Sequence, residues 1–184
     1  MKVVAVYGGP RQNGNTILLM EEMLKEATAQ GAETEVFYLN KLKYRGCQAC
    51  FGCKSHEGCV IQDDVQPILK AIAEADRIIL ATPVFMWDMT GQLKLLVDRL
   101  FCFLNLDHTS LLKPGKKVLW AVTQGQLDTN KFRNVFDTHG KMMEFLGFGE
   151  NKVYIAGGLS VPGEIKQQPQ VLDEARKMVD WLLK

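Results

Sequence analysis

No apolar run in this 184-residue chain approaches the roughly 20 residues that a bilayer-spanning helix requires. The longest, Ile78 to Trp87, is already broken by Thr82 and Pro83. An excess of charge of either sign is equally lacking. The 22 basic and 21 acidic residues leave a formal +1, so no long-range field would gather nucleic acid or an anionic lipid surface. Internal repeats, low-complexity tracts and linker-like stretches are absent as well. At the N-terminus, Lys2-Val-Val-Ala-Val-Tyr7 runs directly into a glycine turn with no apolar leader and no small-residue cleavage site, so the protein is expected to be cytoplasmic. Cysteines are few and odd in number, and four of the 5 fall between Cys47 and Cys59. A disulfide framework spread over a secreted scaffold would not concentrate them so.

What is present is an ordinary globular composition, 47% hydrophobic and 23% charged. A domain of this length can bury about 70% of its unfolded surface. One domain over residues 1–184 is expected, with a cysteine-rich insertion at about 40–62. Val3–Tyr7, Ile78–Ala81, Val118–Val122 and Val153–Ala156 read as strands covered on both faces. Glu33–Leu39 begins with polar residues, as a strand near a sheet edge does. Between the strands, apolar residues recur at three- and four-residue spacing: Ile17, Met20, Leu24 and Ala27; Leu93, Leu96, Val97, Leu100 and Leu104; Phe132, Val135, Phe136, Met143 and Leu146; and Val171 to Leu182 after Pro169. Another helix follows the cysteines, where Asp63 can cap, Gln66 stands three residues on and Pro67 falls in the first turn. This alternation predicts a doubly wound α/β sandwich with a parallel sheet in the order 2-1-3-4-5. The long connections, 40–62, 105–116 and 157–168, are where function is expected.

The first strand ends in Gly8-Gly-Pro-Arg-Gln-Asn-Gly-Asn-Thr16 and passes straight into a helix, where unpaired N–H groups and a helix dipole favour an anion. The Walker lysine is replaced by Asn15, no G-x-G-x-x-G spacing exists, and the loop has no phosphatase cysteine. A monophosphate pocket remains, with Gly9, Pro10, Arg11, Asn13, Asn15 and Thr16 as its residues. The second loop, after Ala81-Thr82, carries Pro83, Val84, Phe85, Met86 and Trp87. Pro83 is expected to hold the chain extended, so that backbone amides meet the polar edge of a flat heterocycle between apolar walls, a description that a flavin ring fits. Thr123, Gln124 and Gly125 would complete the pocket. Cys47-x2-Cys50-x2-Cys53-x5-Cys59 suits the corners of a [4Fe–4S] cluster, with zinc second and free thiols as the remaining alternative. Lys54 and the glycines at 46, 52 and 58 would let backbone amides approach the sulfurs. Cys102 reads as an inert buried thiol, and His56, His108 and His139 as ordinary, His139 being partly buried and satisfied.

Taken together, the Gly-x-Pro-Arg-x-Asn-Gly-Asn-Thr loop, the four cysteines followed by Asp63-Asp64, Thr82-Pro83-Val84-Phe85, and Gly91-Gln-Leu-Lys94 leading to Asp98-Arg99 resemble the iron–sulfur flavoproteins. These stand within the NADPH-dependent FMN reductase, flavodoxin-like superfamily. Gly9 stands where that family commonly has Ser. The resemblance, over about residues 1–125, implies a flavodoxin-like fold, with FMN bound by the loops at 9–16, 83–87 and 123–125. It also implies a [4Fe–4S] cluster on Cys47, Cys50, Cys53 and Cys59, and homodimers or homotetramers that bring clusters near flavins. The expected role is electron transfer between a donor and an acceptor, with ferredoxin, NAD(P)H or a quinone as partners and no catalytic acid or base. The competing expectations are an NAD(P)H-dependent FMN or quinone reductase without a cluster, and a zinc- or thiol-based sensor.

Overall fold

The computed structural model describes every residue from Met1 to Lys184. Five strands, β1 (Lys2–Tyr7), β2 (Glu33–Tyr38), β3 (Arg77–Pro83), β4 (Lys117–Thr123) and β5 (Glu150–Ala156), form one sheet in the order β2-β1-β3-β4-β5. Every pairing is parallel. The helices are α1 (Asn15–Ala29), α2 (Gln66–Glu74), α3 (Gly91–Val97), α4 (Arg133–Phe145) and α5 (Pro169–Leu183). This is the flavodoxin-like arrangement that the sequence predicts, with the polar-headed β2 at an edge.

Alternation along the strands divides the core in two. Val4, Val6, Ile78, Leu80, Val118, Trp120 and Val122 pack against α2, α3 and α4, while Val3, Ala5, Tyr7, Ile79, Ala81, Leu119 and Ala121 pack against α1 and α5. Because both faces are covered, each central strand is apolar at nearly every position, which is why it reads as a continuous run. No helix is long and apolar enough to cross a membrane.

Two helix expectations need correction. The stripe from Leu93 to Leu104 is not one α-helix: α3 ends at Val97 and the chain tightens into a 3-10 segment over Asp98–Phe103. Arg99, Leu100, Cys102 and Phe103 are thereby turned inward. Nor does Asp63 cap α2, which begins after Val65 without a side-chain cap. Its carboxylate accepts from the amides of Val65 and Arg45 and from Arg99, a stronger partner than a helix N–H. Gln66, instead of closing a capping box, donates to the carbonyls of Cys59 and Ile61.

Candidate functional site

At the carboxyl end of the sheet the Gly8 amide still pairs with Ala81 O at 2.8 Å, so the chain leaves between β1 and β3. A Cβ on Gly9 would stand 2.4 Å from the Tyr7 hydroxyl, because the Tyr7 ring folds up beneath the loop and its hydroxyl donates to Arg11 O at 2.7 Å. Burial pushes the Tyr7 phenol up to about 12, against the pull of Arg11. Beyond it, none of the backbone N–H groups of Gly9 and residues 11–17 has a partner within the protein. Helix α1 starts from Gly14 with neither a side-chain cap nor an acidic residue in its first turn. An uncapped, unneutralised N-terminus beside a row of free amides is an arrangement that favours an anion.

Tyr7, Pro10, Arg11, Gly14, Asn15, Thr16, Pro83, Phe85, Thr123 and Leu159 line one cleft, bringing the three sequence loops together. Thr16 Oγ1 and Thr123 Oγ1 are 2.5 Å apart, linking α1 to the end of β4. Gly9 and Asn13 face the adjoining hollow with Lys41. Asn15 is buried and already committed: it donates to Val161 O at 2.8 Å and accepts from the Ile165 amide at 3.2 Å, bracing the 157–168 connection against the loop. The Val84 amide pairs with Thr123 O at 2.8 Å, and the Gln124 amide with Ala156 O at 2.9 Å. Gln124 Nε2 donates to the carbonyls of Gln126 and Asp128, while its buried Oε1 has no partner.

The segment after Pro83 is not the extended strip that the proline suggests. Phe85 and Asp88 exchange amide–carbonyl bonds of 2.9 and 3.1 Å, and the chain reverses between them with Met86 (φ 45°) and Trp87 (φ 69°) both left-handed. A proline fixes only its own φ and restrains the residue before it, so it places no constraint on the residues beyond it. Phe85 therefore reaches the cleft, whereas Met86 and Trp87 stand at the tip of the turn, 88% and 62% exposed. The base of the turn is anchored by Asp88, which lies 2.8 Å from His139 Nε2. His139 is held in turn against Trp120 and Phe136, in the satisfied setting expected of it.

Cys47, Cys50, Cys53 and Cys59 line a second, mostly apolar hollow together with Arg99, Phe101 and Cys102. Ala49 (φ 50°) and Phe51 (φ 55°) adopt left-handed backbone between the cysteines, a strained path that curls the loop around the hollow. The loop is tied down from outside. Lys54 donates to the carbonyls of Phe101 and Leu104 and lies 3.7 Å from the centre of the Phe101 ring, so its side chain fastens the loop to the wall of the site. Tyr44 donates to Gln92 O at 2.8 Å. No three His, Cys, Asp or Glu side chains are close enough to hold a metal ion as they stand. Even so, four thiols on one apolar wall, with a buried cation beside them, fit a thiophilic metal or a cluster. Cys102 belongs to the same wall, where burial pushes its thiol up to about 12.

Tyr7 lines the first cleft without being singled out in the sequence, and Asp63 and Arg99, quoted there as a cap and as parts of the family motifs, meet beside the cysteine hollow. Asp63 has a local explanation as a cap, and Arg99 lies within an apolar helical stripe, so neither points to the other across 36 residues.

The family model for NADPH-dependent FMN reductase matches residues 1–148. An iron–sulfur flavoprotein of Methanocaldococcus jannaschii is 44% identical over 99 residues, covering 54% of this chain and 51% of the relative. The chain spans about half the length of the iron–sulfur flavoproteins it matches first. Among solved structures, an NAD(P)H:quinone oxidoreductase from Methanothermobacter marburgensis superposes with a TM-score of 0.77 at 18% identity, covering 97% of this chain and 95% of its own. An FMN-dependent NADH-azoreductase from Bacillus anthracis, solved in complex with FMN, gives 0.76 at 16% identity over 100% of both chains. At such identities these two establish the fold alone.

Proposed function

The chain belongs to the NADPH-dependent FMN reductase family, and from that premise we propose that it is an FMN-dependent oxidoreductase passing electrons from a donor to an acceptor. In the fuller reading its donor is NAD(P)H or a ferredoxin, its acceptor is a quinone or another redox protein, and a [4Fe–4S] cluster is held by Cys47, Cys50, Cys53 and Cys59. The observation that carries the proposal is the row of unpaired amides from Gly9 to Ile17 at the start of an uncapped α1, opening into a cleft closed by the ends of β3 and β4.

The flavin supplies chemistry in electron pairs or single electrons, and a cluster supplies it one electron at a time. The protein's part is to bind, orient and shield. Amides of the loop and the Arg11 guanidinium would hold the phosphate, with the hydroxyls of Thr16 and Thr123 beside it. Phe85 offers an apolar wall, and the exposed Trp87 an aromatic face at the rim. Tyr7, with its phenol near 12, stays protonated at neutral pH and donates to Arg11 O. No side chain is assigned to proton transfer. A homodimer or homotetramer would bring the cysteine loop of one chain toward the flavin site of another.

Anaerobically purified protein should be coloured and contain FMN together with iron and acid-labile sulfide in equal amounts. Iron-free protein whose flavin is rapidly reduced by NADPH on rapid mixing would correct the reading to a cluster-free FMN or quinone reductase. Stoichiometric zinc with no flavin would replace it with a thiol-based sensor.

A further inference from the structure

Arg99 is 1% exposed, yet its guanidinium is only partly satisfied. Nη1 lies 2.6 Å from each oxygen of Asp63, and Nη2 donates to Ile61 O at 3.0 Å. The Nε–H is buried with no acceptor. A carboxylate commonly forks across two nitrogens of an arginine; here both Asp63 oxygens sit on Nη1, which leaves Nε free. Asp63 is held there by the amides of Arg45 and Val65, so it cannot slide over to reach Nε. The guanidinium lines the cysteine hollow. Ile61, whose carbonyl takes Nη2, stands two residues beyond Cys59, so the guanidinium lies against the end of the cysteine loop. A charged donor left unpaired in the interior is unfavourable, and five cysteine side chains share that hollow with it.

We propose that Arg99 is a positioning residue of the four-cysteine site: its Nε–H donates to the Cys59 sulfur, and its charge balances the thiolates when they hold the cluster. This rests on the cluster reading given above. A positive charge and an N–H···S contact favour the more negative, reduced state of the group, so Arg99 raises the potential for one-electron reduction. Asp63, fixed on the far side of the guanidinium, partly offsets that charge. The two residues therefore act on the potential with opposite signs.

The test is a mediated potentiometric titration, with dithionite as the one-electron reductant and the reduced cluster followed by electron paramagnetic resonance. Wild-type protein is compared with Arg99→Lys and Asp63→Asn. Arg99→Lys keeps a cation but loses Nε, and should lower the midpoint potential and speed the loss of iron to a chelator by about tenfold. Asp63→Asn should raise the potential. A purely structural role would shift both variants the same way or neither, and either result overturns the proposal. Should Arg99→Lys fail to fold, Asp63→Asn decides alone: a raised potential supports the role of Arg99, and an unchanged or lowered one refutes it. Wild-type protein that holds no iron and sulfide after anaerobic reconstitution overturns the cluster reading itself, and the role of Arg99 with it.

Discussion

Tyr7 and Gly9 are a matched pair. The phenol supports the loop from below, and the space it fills is where a side chain on residue 9 would begin: a Cβ there would lie 2.4, 2.5 and 2.7 Å from Tyr7 atoms. Gly9→Ala should destabilise the protein by about 1–3 kcal/mol, as forced overpacking does. In a Tyr7→Val background, where the ring is gone, the same substitution should cost little. Urea unfolding of the four proteins measures the coupling, and additive costs would show that the two residues do not share this space. The departure from serine at position 9 is thus explained locally, by an aromatic residue occupying the volume.

Among the elements, the Phe85–Asp88 reversal is built from residues poorly suited to it. Met86 and Trp87 both take left-handed backbone, which costs an L-residue roughly 1–2 kcal/mol at each position relative to glycine. Met86→Asn combined with Trp87→Gly should therefore raise the melting temperature of the flavin-free protein, by about 2–4 °C per kcal/mol recovered at this size. A lower melting temperature would show that the exposed side chains contribute more than the backbone strain removes. If Trp87 also contacts the flavin, the same variant should bind FMN less tightly, so that stability and affinity move in opposite directions.

The cysteine loop is fastened to the 3-10 segment after α3 by a pair whose response to pH has a definite sign. Burial pushes the Asp63 carboxyl up, but hydrogen bonds from Arg99 and from the amides of Val65 and Arg45 outweigh it and hold the carboxyl below its ordinary value. A group with a depressed folded pKa stabilises the fold above its unfolded value, near 3.9 for an aspartate, and loses that contribution as pH falls through the lower folded value. The stability difference between wild type and Asp63→Asn should thus be full at pH 6–7 and shrink below about pH 4. A difference that persists undiminished to pH 3 would contradict the assignment. Protein free of iron is the material for this measurement, so that cluster loss does not enter.

At the scale of the molecule, the architecture is legible in the sequence because its strands are buried on both faces and its helices on one. Val3–Tyr7 and Val118–Val122 read as central strands, and the polar head of β2 as an edge, without any knowledge of packing. The positions of Arg11, Gly14, Thr16, Phe85 and Thr123 in one cleft follow from that topology, since parallel strands deliver their carboxyl ends to the same side. Local conformation and long-range pairing are not legible. Nothing near Met86 announces a left-handed turn, because non-glycine residues seldom adopt one. Asp63 reads as a cap because its true partner, Arg99, lies 36 residues away and enters only through the tightening of the chain beyond Val97. Asn15 offers the right chemistry for a ligand, but its side chain is occupied by Val161 and Ile165.

The account depends on the tips of β1, β3 and β4 holding a flavin by its phosphate, and comparison of two ligands tests this directly. Flavin-free protein titrated with FMN and with riboflavin, followed by quenching of flavin fluorescence, should bind FMN at least tenfold more tightly, because only FMN carries the anion that the free amides and Arg11 receive. Equal affinity for the two, or no binding of either, would contradict it.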